Sequence, residues 1–327
     1  MSIQPDIPSL LSRRDQIKDR LYTSLHHLIF EAAAELVPPA LSEADLKALV
    51  LPERGFPAPV VFAFHRGLMN AALTQNTHGF KSLSDDLARL TDAEATAPET
   101  LTAADMSEAC FSATSMQALK TAFQDDVGLT AHLGAPDPAM RDAANTHLET
   151  AMSTLAKIAP DWHREIELLG SQIIYTQSQD ETVSFGGAAV FDAFGAVLIN
   201  PETFRSPSVT LTQLVHEVSH QHMFLFHLDD AILLNDDEAA YASPLRQEPR
   251  PMEGIFHAGW VSARMSLVAD AVLSSSDRPD WADAMAAEKE TTIAVFKDCA
   301  EVIDEHAEFT PFGRALYTTA REAIDAL

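Results

Sequence analysis

A chain of 327 residues, 46% apolar and 21% charged, is long enough and apolar enough to bury a sizeable globular core. Its charge is unusual: 22 Lys plus Arg against 48 Asp plus Glu give −26 with neutral histidines, a field that repels phosphate backbones and anionic lipids and so argues against nucleic-acid or membrane partners. The two cysteines, Cys110 and Cys299, lie far apart and outside any CxxC, which excludes a disulfide framework or a cysteine zinc site. With no basic-then-apolar start and no uncharged apolar run of about 18 to 20 residues, the expected compartment is the cytoplasm.

In chain order, apolar spacing predicts a helix over about Ser12–Val37, with Ile17, Leu21, Leu25, Leu28 and Ile29 as its stripe and Pro38-Pro39 as its stop. Similar stripes predict helices over about Pro59–Leu73, Met106–Phe123 and Met140–Ile158, with Thr91–Ala104 as a loop. Between about Glu167 and Asn200 the β-prone runs Ile173-Ile174-Tyr175, Thr182-Val183-Ser184-Phe185 and Ala196-Val197-Leu198-Ile199 predict a small antiparallel sheet. Helix returns after Pro201, with Ser208 as its expected N-cap, and the last third reads as helices over roughly Pro251–Ser274, Trp281–His306 and Pro311–Leu327. The expected fold is mostly α with a small antiparallel β-sheet (α+β) and a zincin-like metal-binding helix next to it. A helical region 1–160 precedes a catalytic region 161–327, comprising sheet 167–200, helix 208–228, helix 251–274 and the C-terminal helices, together one compact unit.

The chemistry concentrates in Leu214-Val215-His216-Glu217-Val218-Ser219-His220. Histidines four apart lie one turn apart on one helix face, so both imidazoles reach one ion, while Glu217 stands where it meets a bound water or orients a ligand. Leu211, Leu214, Val215 and Val218 make the helix apolar enough to be buried, as a rigid site requires.

A third ligand decides the reaction. His227 sits seven residues past His220, ~10 Å further along a straight helix, and His222 points to another face, so both read as ordinary histidines. The pattern HExxHxxGxxH fails because Met223 and Phe226 occupy its glycine and third-histidine positions. A glutamate from a second helix remains open through Glu238 or Glu253. The better candidate is His257, on a helix that starts at Pro251 and carries Met252, Ile255, Phe256 and Trp260 around it. Gly254, Ala258 and Gly259 there allow close approach of a helix or ligand. In so acidic a chain Arg246, Arg250 and Arg264 cluster around His257, and a guanidinium fork suits a carboxylate.

The stretch from Leu214 to His220, together with Tyr241-Ala242-Ser243-Pro244-Leu245-Arg246-Gln247-Glu248-Pro249-Arg250-Pro251-Met252-Glu253-Gly254-Ile255-Phe256-His257-Ala258-Gly259, resembles the HExxH-motif-containing peptide-modification family. The match covers about Val209–Arg264. The resemblance implies an iron(II)- and 2-oxoglutarate-dependent β-hydroxylase acting on a ribosomally made precursor peptide. It implies iron on His216, His220 and His257, and co-substrate held by an arginine of the Ser243–Pro251 loop.

Three function classes follow. In the oxygenase reading Glu217 orients a ligand or water. In the hydrolase reading Zn2+ activates water, Glu217 is the general base, and Glu238 or Glu253 completes the site. A silent peptide-binding protein would keep the motif as a structural metal site.

Overall fold

The computed structural model describes residues 2–51, 55–127, 133–179, 185–228 and 231–327. Its elements are α1 (Ile7–His26), α2 (Glu43–Val50), α3 (Pro59–Leu73), α4 (Thr77–Leu87), α5 (Asp92–Ala95), β1 (Thr102–Asp105), α6 (Ala113–Val127), β2 (Leu133–Gly134), α7 (Pro138–Ile158) and α8 (Pro160–Leu169). After them come β3 (Gln172–Tyr175), β4 (Gln177–Ser178), β5 (Gly187–Ala188), β6 (Ala196–Ile199), α9 (Pro207–Phe226), α10 (Met252–Ser274), α11 (Ala284–His306) and α12 (Pro311–Asp325). The protein is mostly helical, and none of the described helices is long and apolar enough to cross a membrane. The chain divides into two compact units, one of Leu11–Asp142 with Glu167–Glu202, the other of Met1–Leu10, Ala143–Ile166 and Thr203–Leu327.

The first unit carries the sheets. The larger runs β1-β3-β6-β5, with β1, β3 and β6 mutually parallel and only β5 antiparallel; the smaller is the antiparallel pair β2-β4. The expectation of an antiparallel sheet is therefore corrected to a mixed one. The physical reason is visible in β3 and β6. Ile173, Ile174, Tyr175 and Ala196 to Ile199 are fully buried, so these strands are covered on both faces, as parallel strands are, and lack the polar alternation of a one-sided hairpin. Residues Thr182 to Ser184 of the middle β-prone run lie outside the described residues. Strand β1 overlaps the end of the stretch expected as a loop, because Thr-Ala-Ala-Asp is an exposed to half-buried strand with little apolar content. The first helix begins earlier than the stripe predicts and passes at His27–Ala32 into a π-helical turn, while Ile17, Leu21, Leu25 and Ile29 are its buried side.

The second unit holds the motif helix. α9 starts at Pro207, whose missing N–H costs nothing in a first turn, and Ser206 caps it by accepting from the Val209 N–H at 3.3 Å. Ser208, the expected cap, lies one residue inside the helix, its Oγ 3.0 Å from that of Ser206. α9 packs on α10, and α10 packs along α11. The α10–α11 approach is close at Gly259, where a methyl group would stand 3.4 Å from Cys299 Cβ, so a larger side chain there would push the helices apart. Phe226 meets Trp260 edge-on at 5.1 Å, and Phe309 stacks on Tyr317 at 5.3 Å, filling the space between α9, α10 and α12.

One buried ion pair ties this unit together. Arg264 of α10 is fully buried and pairs with fully buried Glu165 of α8. Its Nη1 donates to the Ile3 carbonyl at 2.5 Å, its Nε donates to Ser219 Oγ at 3.0 Å, and its guanidinium lies 4.8 Å over the Trp162 ring. Ser219 Oγ itself donates to the Val215 carbonyl at 2.6 Å, so the contact reaches the motif turn of α9. Removing one partner strands a buried charge. Arg264→Ala or Glu165→Ala is expected to lower unfolding stability by about 3–5 kcal/mol in denaturant titration, and a loss under about 1 kcal/mol would show that the pair does not hold the unit.

Candidate metal centre

The site lies wholly in the second unit. One helical turn of α9 sets His216 and His220 with ring centroids 5.1 Å apart and their Nε2 atoms 3.4 Å apart. Two nitrogens each about 2.1 Å from one ion, at an angle between a right angle and the tetrahedral angle, stand roughly 3.0–3.4 Å apart. The pair therefore fits two corners of one coordination shell. Both rings are half-buried, with backbone on either side of each packed in the core. Burial lowers the pKa of His216, and burial followed by the charges of His216, His257 and Arg250 lowers that of His220 well below the ordinary value. Neutral imidazoles are the form that binds a metal. Glu217 is buried between them in sequence but directed into the protein, and burial raises its carboxyl to about 8.

His257 arrives from α10. Its ring lies 5.9 Å from that of His220 and also 5.9 Å from that of His227. On its own helix Glu253 is one turn earlier, and Glu253 Oε1 lies 3.0 Å from His257 Nε2 and 3.1 Å from His227 Nε2. Burial alone would raise the Glu253 carboxyl, but the two imidazoles beside it bring it well below the usual carboxylate range. Among the described residues, the group of His, Cys, Asp and Glu whose three ligand atoms meet within 4.8 Å is His227, Glu253 and His257. His257 thus stands between the α9 pair and this second group.

A straight continuation of the helix would make His227 an ordinary residue remote from His220. α9 instead ends at Phe226, and His227 is its C-cap, turned to the first turns of α10. The spacing of Glu253 and His257, four apart on one helix, was the available sign of a ligand pair there. His222 lies in the core: its ring is 4.8 Å from Phe226 and 6.0 Å from Trp260, and burial drops its pKa to about 3.

The three candidate arginines separate clearly. Arg264 is committed to Glu165, Ser219 and the Ile3 carbonyl, so, against the sequence expectation, no fork remains for a co-substrate. Arg250 closes a loop by exchanging two backbone hydrogen bonds with Tyr241, at 2.8 and 2.9 Å. Its half-buried guanidinium lies across Gly254, where a methyl group would come within 3.2 Å of Nε and 3.3 Å of Cζ. Glycine at that position makes room for the charge. Burial, and after it the neighbouring Arg246, lowers the Arg250 pKa, and the side chain has no carboxylate partner among the described residues. Arg246 is exposed at the tip of the same loop. Glu238, the other glutamate candidate, is exposed in the turn at Asp236–Glu238.

No protein-family model and no curated protein matches this sequence.

Replacing His216 or His220 by Ala removes a direct ligand. Titration calorimetry with Co2+ on the chelator-stripped protein should show the tightest binding weakened by more than the roughly 10–100-fold that loss of a supporting hydrogen bond costs, whereas His222→Ala should leave it within a few-fold. Equal effects of all three would dissociate the α9 pair from metal binding.

Proposed function

We propose that this chain is an iron(II)- and 2-oxoglutarate-dependent oxygenase that hydroxylates Cβ of a residue in a ribosomally made precursor peptide, as the resemblance of its motif region implies. In this reading His216, His220 and His257 hold the iron, Arg250 holds the distal carboxylate of the co-substrate, and the protein works in the cytoplasm on a peptide partner. The zincin-like character proposed with it rests on the HExxH helix α9.

Support comes above all from Arg250. In a chain carrying −26, a half-buried guanidinium beside the histidines that has no acidic partner among the described residues is an expensive arrangement unless a carboxylate is supplied to it. The planar fork suits a dicarboxylate bidentately, which an ammonium group would not reproduce. Iron with the keto acid and dioxygen supplies the oxidative chemistry when bound. The chain's own residues do the rest: Arg250 sets the co-substrate's direction, Arg246 at the loop tip meets it at the rim, and Glu217 orients from behind. Phe256 and Trp260, both buried and stacked at 6.4 Å on the same helix as His257, anchor that helix in the core.

A second reading is favoured by one observation, the approach of Glu253 to His257. There Zn2+ would take Glu253 as its acid ligand and Glu217 would serve as general base of a peptidase. Glu238, exposed in a turn, drops out of that scheme.

Anaerobic loading with Fe2+ followed by 2-oxoglutarate, oxygen and a candidate precursor peptide separates the two. The expected result is succinate together with a peptide heavier by one oxygen. Arg250→Ala should raise the KM for 2-oxoglutarate by about tenfold or more, equivalent to ~1.4 kcal/mol of lost binding, with Arg250→Lys recovering little of it. Peptide cleavage by the zinc-loaded protein without succinate would replace the oxygenase by the hydrolase.

A further inference from the structure

The end of α9 and the first turns of α10 bring together ligand atoms that the His216–His220 pair does not need. His227, Glu253 and His257 offer one atom each, all within 4.8 Å of one another. The two separations from Glu253 Oε1 are 3.1 Å to His227 Nε2 and 3.0 Å to His257 Nε2. A pair of simple hydrogen bonds would explain such distances if the N–H groups pointed at the oxygen. The alignment is poor for that: Glu253 Oε1 and His257 Nε2 are both shielded from solvent and neither has a well-aligned hydrogen-bond partner. Atoms that converge closely without aiming at each other are what ligands around a common centre look like, and about 3.0 Å is the spacing of adjacent ligands each about 2.1 Å from one ion.

Exposure supports a site that ions can enter. The His227 and Glu253 side chains are each 37% exposed, which leaves room for water in the remaining coordination positions, while His257 at 20% forms the inner wall. Two imidazole nitrogens and one carboxylate oxygen select first-row divalent ions of the zinc and iron type over magnesium or calcium, which prefer all-oxygen shells.

We propose that His227, Glu253 and His257 form a second divalent transition-metal site beside the His216–His220 pair, so that the protein takes up two ions rather than one. The proposal shares His257 with the proposed iron centre and rests on that reading only for the identity of the neighbouring ion. His257 stands at the boundary, its ring equidistant at 5.9 Å from those of His220 and His227. With both ions present, His227, Glu253 and the Nε2 of His257 hold the outer one, and His257 reaches the inner one only through its other ring nitrogen.

The test is stoichiometry in the full chain. Chelator-stripped protein is dialysed against Zn2+, and zinc per chain is measured by mass spectrometry, with circular dichroism to check that each variant is folded. Wild type should hold two zinc ions per chain. His227→Ala and Glu253→Gln should each hold one, His216→Ala should hold one, and His216→Ala with His227→Ala should hold none. Parallel dialysis against Mg2+ should load neither site. One zinc in wild type that is unchanged in His227→Ala and Glu253→Gln overturns the second site and leaves the first. One zinc that survives His216→Ala but is lost in His227→Ala keeps the second site and removes the proposed iron centre. A single zinc lost in both variants also overturns the proposal, since one ion then serves all the ligands. Magnesium uptake that depends on Glu253 overturns the assigned metal class.

Discussion

Two imidazole nitrogens held 3.4 Å apart by one turn of a buried helix are the constraint around which the second unit is arranged. At that separation the two neutral rings make at most a long hydrogen bond. Both rings are pushed towards the neutral form by burial, so the pair cannot be justified as a shared charge. Placing two such groups side by side makes physical sense when a third centre joins them, and the spacing is that of two ligands on one small ion.

The helices that hold the pair in place are fixed by unlike means. Arg264 reaches from α10 to Glu165 on α8 and to Ser219 inside the motif, adding a charge-assisted hydrogen bond to the apolar packing that holds α9. Gly259 lets α11 come close behind α10. Gly254, one turn before Ala258 on the same helix, does the opposite job: it leaves a gap that the Arg250 guanidinium occupies. Among the described residues the Arg250 guanidinium has no carboxylate beside it at the place where histidines gather. That juxtaposition ties the fold to the proposed co-substrate.

Much of this was legible in the sequence, and the parts that were not share a cause. The helix at Pro59–Leu73 was readable from end to end, and the motif helix, the His257 helix and the C-terminal helix were found within a few residues, because periodicity and proline stops are local properties. Strand direction is not local. The runs Ile173-Ile174-Tyr175 and Ala196-Val197-Leu198-Ile199 announced themselves as strands, yet their parallel pairing depends on how the chain crosses between them. Arg264 shares a helix with His257, which made it look like a site residue; its partner Glu165 lies 99 residues away, beyond any spacing argument. His227 was set aside on the premise of a straight helix, and the helix ends one residue before it. Arg250 is visible in the sequence near His257, but only the room that Gly254 leaves for its guanidinium shows why the charge can lie where it does.

The central claim, that His216 and His220 are co-ligands of one ion, is tested most directly by a crystal structure of the iron(II)-loaded protein with anomalous data at the iron edge. The account predicts an anomalous peak about 2.1 Å from Nε2 of both His216 and His220. A peak confined to the neighbourhood of His227 and Glu253, with the α9 imidazoles unligated, would contradict it.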